Sequence, residues 1–232
     1  MLWNIGMPLA LLVVYVVVFS AVLVPSISPD VLEPGTFPLY LSVGFLPWTA
    51  FADTLLRGTQ ALVGNAAYLR RLPLPERVFL GQSAVASTIG MLVVLVLLWL
   101  LSLVWGRFPT LAWLAMPVVA FLWQAFAYGL TLALGALNVF FRDLTQLVTI
   151  LVQIWMWSVP VVYVEQLLPD TLRSVLPFNP VYPFLTSLRM VYLQGTFPPV
   201  ELWLAMAAWV ALAVLVGELV LHLVQPEIRD AL

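Results

Sequence analysis

Long uncharged stretches of this chain limit what it can fold into. Phe108 to Phe141 contains no Asp, Glu, Lys, Arg or His, and Leu144 to Val164 contains none again. Apolar runs of about 18 residues or more point to membrane-spanning helices, because about 20 residues rising about 1.5 Å each cross a hydrocarbon layer of about 30 Å. Composition agrees. The chain is 63% hydrophobic and 9% charged, whereas a soluble domain is nearer half apolar and about a quarter charged. Too little polar surface is left to cover such a core in water. In hydrocarbon, backbone groups have no water to bond, so only helices and closed barrels cross. The runs here are continuous rather than alternating, which favours helices.

The pattern predicts one all-α integral membrane domain over residues 1–232, with six transmembrane helices at about 2–24, 37–62, 78–105, 111–137, 144–164 and 201–224. Pro25 closes the first. The opening stretch has no positive n-region and its apolar run exceeds a signal-peptide core, so it reads as a retained span. Residues 165–200 are apolar but interrupted by Pro169, Pro177, Pro180, Pro183, Pro198 and Pro199. They are too broken to span and too apolar for a solvated loop. A re-entrant pair of short helices between spans five and six is expected there. No internal repeat or low-complexity linker is visible.

Arginine placement gives an orientation. The second loop carries Arg70, Arg71 and Arg77, the fourth Arg142 and the tail Arg229, while the first has Asp30 and Glu33 without a cation and the third only Arg107. Both termini are therefore expected in the cytoplasm. A net charge of −2 with no basic domain gives no sign of a nucleic-acid partner. Absence of cysteine excludes disulfides and thiolate metal sites, and the single histidine, His222, argues against a histidine metal cluster. The chain has no GxxxxGK[ST] phosphate loop.

Charges within or beside spans are the first candidates, since each costs roughly 2.5–3.5 kcal/mol at a helix centre. Asp53 and Arg57 are spaced i,i+4 and can neutralise each other, either as a structural pair in the bundle or along a hydrated path. Glu218 and His222 share that spacing near the headgroups. The tight turn at Arg142-Asp143 forms a corner with Asn138, Phe140 and Phe141. Asn138 is expected to cap span four and Asp143 to complement the dipole of span five; a salt-bridged corner is the sharper reading. Arg70, Arg71, Glu76 and Arg77, stiffened by Pro73 and Pro75, offer either charge-assisted contacts to a soluble partner or lipid anchorage.

Four stretches carry a resemblance: "LWNIGMPLALLVVYVVVFS", "LPWTAFADTLLRGTQALVGNAAYLRRLPLPERV", "LNVFFRDLTQLVTILVQIWMWSVPVVY" and "FNPVYPFLTSLRMVYLQG". In this order they resemble the permease subunits of type-2 ABC exporters of polysaccharides, the O-antigen, capsule and teichoic-acid export permeases. The Asn-Val-Phe-Phe-Arg-Asp string with its Trp-rich, Pro-ended sequel is the most specific. Family members usually carry an amphipathic interfacial helix before span one; here Met1 already lies at the first span, through a truncated or late start or a true lack.

The resemblance implies a homodimer in the bacterial inner membrane, worked by two copies of a separate ABC ATPase that holds the ATP and Mg. The permease itself would bind no cofactor and catalyse nothing. Its cargo would be lipid-linked polysaccharide, and the Leu69–Val78 loop would couple it to the ATPase. Spans one and five would line the path. Tyr15, Phe19, Trp48, Trp155, Trp157 and Tyr163 then become candidates, because aromatic planes pack on the CH faces of sugars; belts at the membrane interface or bundle filling are the alternative. Export of a drug or antibiotic is a competing reading. A secondary transporter should show inverted repeats, and a membrane enzyme needs a reactive pair that is not evident.

Overall fold

The computed structural model of the protein describes residues 2–22, 36–71 and 74–231, leaving aside the side chains of 2–5, 7, 8, 19–22 and 230. Among the described residues every regular element is helical: α1 (Leu2–Val22), α2 (Phe37–Gly64), α3 (Ala66–Arg71), α4 (Glu76–Val104), α5 (Ala115–Phe140), α6 (Leu144–Ser158), α7 (Asp170–Arg173), α8 (Tyr182–Arg189) and α9 (Val200–Ala231). Among the described residues four stretches are long and apolar enough to cross a membrane: Phe37–Gly64, Glu76–Val104, Leu111–Phe140 and Val200–Arg229. They match predicted spans two, three, four and six, and describe a multi-pass membrane protein. The predicted Asp30–Glu33 loop and Pro73 lie outside the described residues.

α2 is the least apolar of the four, yet 78% of its spanning window is buried, against 17% for α4 and 22% for α9. Lipid as solvent explains the inversion, because tails accept Leu and Val as readily as the bundle does while polar groups gain by facing protein. Thr54 on α2 donates to the Gln124 side chain on α5 at 2.7 Å, both buried. The outward faces of α4 and α9 carry Val85, Ile89, Val96, Leu204, Leu215 and Leu223. α5 and α9 cross closely through Gly129 and Gly217. A Cβ on Gly129 would lie 2.6 Å from the Ala213 backbone, and one on Gly217 would overlap the Gly129 carbonyl oxygen.

The predicted fifth span needs correction. α6 stops at Ser158, so its 15 residues rise only about 22 Å, short of the hydrocarbon thickness. Val159 is extended, at φ −118° and ψ 143°, because the ring of Pro160 disfavours helix at the preceding residue. Residues 159–164 are non-helical. Beyond them the chain makes short turns at Glu165–Leu167 and Leu176–Phe178 around α7, then α8 and a π-helical turn, Met190–Gln194. Gly195 ends it at φ 66°, a left-handed conformation that glycine adopts without penalty.

Candidate functional site

The helices create two ends. At one lie α3, the start of α4, the α5–α6 turn and the last turns of α9; at the other lie the start of α2, Arg107 and residues 159–199.

At the α3 end, Arg70 and Arg71 are exposed. Glu76 is not: it is 2% exposed and accepts from Gln225 at 2.9 Å and from Arg229 at 3.2 Å. Its expected contact with a soluble partner is therefore corrected to an internal one. α9 runs to Ala231, beyond the predicted end at 224, and lays its final turns on the start of α4. A carboxylate buried by that packing needs its charge matched. Arg77 reaches Glu218 at 2.7 Å, so Glu218 is paired across helices. His222 is exposed and lines a groove of about 560 Å³ with Pro75, Glu76, Gln225, Pro226 and Arg229.

At the corner, Arg142 and Asp143 are both exposed and no ion pair joins them. The salt-bridged reading is thereby corrected; each side chain stays in solvent, where pairing gains little. Asp143 sits at the N-cap of α6 without a side-chain capping bond, while its carbonyl takes the Gln146 and Leu147 N–H groups. Asn138 does not cap α5, which continues to Phe140. It is buried and accepts from Thr145 Oγ1 at 3.1 Å, tying α5 to α6. Phe140 is half-buried and Phe141 exposed.

Arg57 and Asp53 do pair, at 2.6 Å, with both side chains roughly half exposed at 48% and 45%; the pair is on the bundle's flank rather than enclosed. The aromatic candidates divide. Trp48 is buried and Trp155 half-buried, edge to face at 6.2 Å, and both pack on Phe51. Trp155 also donates to Asn179 Oδ1 at 3.0 Å. Tyr15 meets Phe45 edge-on at 5.0 Å. Trp157 is 50% exposed, and Tyr163 donates to its carbonyl at 3.0 Å. The Phe19 side chain lies outside the described residues. Among the described residues no cluster of His, Cys, Asp and Glu could hold a metal.

No family profile matches the sequence. Curated relatives do. The O-antigen export system permease protein RfbA of Myxococcus xanthus is 30% identical over 209 residues, 89% of this chain and 78% of that protein. Two proteins of the same name from Klebsiella pneumoniae are 24% and 23% identical, each over 84% of this chain and 73% of their own length. The chain belongs to the permease family of ABC polysaccharide exporters.

Among the described residues the permease carries one buried cation, which its sequence motifs did not single out. Arg189, at the end of α8, is 8% exposed. Its Nη2 donates to the carbonyls of Pro160 and Val161 at 2.5 and 3.1 Å, and its guanidinium carbon lies 3.8 Å from the Tyr40 ring centroid. A broken helix leaves carbonyls without helical donors, and at membrane depth these must be met by protein. Arg189 meets two of them and gains a cation–π contact. Gly44 makes room: a Cβ there would lie 2.7 Å from the Val161 oxygen and 2.9 Å from Arg189 Nη2. Nearby, Tyr182 donates to the Glu165 carboxylate at 3.1 Å. The available signal was a lone arginine inside "FLTSLRMVYLQG", since a charge in an apolar stretch marks a site by default.

Proposed function

We propose that this permease is the membrane half of an ATP-driven exporter moving lipid-linked polysaccharide of the O-antigen type across the bacterial inner membrane. The likeness to O-antigen export permeases along nearly the whole chain carries this reading. An ABC export permease requires an ATPase, here taken as two copies of a separate subunit supplying the ATP and Mg, docked on a permease homodimer. Both termini and the α3 end face the cytoplasm. In support, Arg57, Arg70, Arg71, Arg77, Arg142 and Arg229 lie toward that end and only Arg107, Arg173 and Arg189 toward the other, in keeping with the positive-inside tendency. α1, and α6 continued by the non-helical residues 159–164, complete six crossings, with the pieces from 165 to α9 re-entering the outer leaflet.

Because Glu76 and Arg77 are engaged within the chain, ATPase contact falls chiefly to Arg70 and Arg71. α1 and α6 both pack beside α2 and leave Val13, Val17, Ile150, Ile154 and Trp157 exposed. These faces suit a second copy and a path between the copies. Tyr15, Trp157 and Tyr163 are the aromatics placed to touch a sliding glycan; Trp48 and Trp155 support them. The test is transport of lipid-linked glycan into vesicles holding the permease and its ATPase. ATP-dependent uptake that Trp157→Ala slows severalfold, with assembly unchanged, is expected. Glycan-independent function, or uptake without any ATPase, would refute the proposal.

A further inference from the structure

A cavity of about 410 Å³ opens at the end opposite α3, lined by Thr36, Tyr40, Arg107, Glu165, Gln166 and Arg189, with Thr186 and Gln194 beside them. That volume falls within the range of about 300–1,000 Å³ typical of small-molecule sites. Its wall is unlike a lipid-facing crevice, because donors and acceptors converge on it with an aromatic ring.

Arg189 sets its chemistry. The side chain is more than nine-tenths buried, no carboxylate lies within ion-pair distance among the described residues, and its Nε has no hydrogen-bond partner. Glu165 acts on Arg189 electrostatically from beyond ion-pair distance, and a buried cation with no anion in contact still favours one beside it. Glu165, on the same wall, repels a bare anion but accepts hydroxyl protons. A ligand satisfying both must carry an oxyanion and hydroxyls on one small frame. The backbone is also specialised here. The π-helical turn Met190–Gln194 aims Met190, Leu193 and Gln194 at the cavity, and such turns are frequent at functional sites.

We propose that this cavity binds an acidic sugar unit of the exported glycan, with its carboxylate or phosphate toward Arg189 and its ring hydroxyls toward Glu165 and the two glutamines. The inference rests on the polysaccharide-export reading for its cargo but not for its binding chemistry. An acidic unit held there would check the chain as it leaves, at the end remote from the ATPase contact.

Saturation-transfer NMR on the intact permease in lipid nanodiscs tests it, with glucuronate, glucose 1-phosphate, glucose and inorganic phosphate as probes. The two acidic sugars should bind at least about tenfold more tightly than glucose or phosphate, as a charge-assisted contact is worth. Preference for one acidic sugar over the other would tell a uronate site from a phosphosugar site. Arg189→Gln should abolish the preference. Because that variant could misfold, Gln194→Trp, at the exposed rim, should block all binding while thermal stability is retained. Equal binding of glucose and glucuronate, or glucuronate binding undisturbed by Gln194→Trp, overturns the proposal. Glycan transport is measured in the same discs' parent vesicles. Transport without acidic-sugar binding removes this site and leaves the exporter reading intact; binding without transport does the reverse.

Discussion

Gly44 is the smallest residue on which the broken segment depends. Its missing side chain lets the Val161 carbonyl and the Arg189 guanidinium come against α2. Gly44→Ala meets backbone on one side and a fixed charge on the other, so neither neighbour can turn away. Thermal unfolding in detergent should show a loss of about 1–3 kcal/mol, the usual cost of overpacking. Unchanged stability would mean that the segment shifts freely, contrary to its bonding. At this scale the sequence was a partial guide. The Asp53–Arg57 pair follows from i,i+4 spacing and forms. Arg77–Glu218 and Glu76–Arg229 join residues 141 and 153 positions apart, and no local pattern encodes them. Asn138 looked like a cap because its residue type favours helix ends; burial against α6 gave it an acceptor's role inside α5 instead.

Helix lengths tell a similar story among the elements. Predicted spans two, three, four and six were legible because uncharged run length records hydrocarbon thickness directly. Span five was misjudged because residues 159–164 are as apolar as the helix before them, and hydropathy cannot distinguish helix from irregular chain. Pro160 held the missing information, through its effect on Val159. The α5–α9 crossing was likewise invisible, since Gly129 and Gly217 announce a close contact only once their helices are paired. Gly217→Val should force these helices apart, lowering stability by a further amount of about 1–3 kcal/mol, read as a fall in the detergent unfolding midpoint. Gly64→Val, where a Cβ meets nothing within 4 Å, is the control and should leave that packing unmoved. If Gly217→Val matches it, the close crossing is not holding the pair.

The whole molecule separates charges that stabilise it from charges left for others. Arg71→Glu should reduce recovery of the ATPase with the permease while leaving the unfolding midpoint unchanged. Arg77→Glu should instead lower the unfolding midpoint, by facing Glu218 with a like charge, though half-exposed pairs contribute only about 0.2–1 kcal/mol. Equal effects of the two variants on stability would contradict the assignment. A second consequence concerns synthesis. The carbonyls of Pro160 and Val161 depend on a donor made 29 and 28 residues later, and α6 alone is too short to hold itself in lipid. A ribosome that has just delivered Ser158 has therefore delivered a segment the bilayer will not yet keep. The chain has no cysteine of its own, so Leu151→Cys in α6 reports on that helix alone. In nascent chains cut before Arg189 it should react with a water-soluble maleimide, whereas in chains cut after Gly195 it should be protected, and equal labelling would refute the timing. Its anchoring, in other words, is timed by an arginine that has yet to be translated.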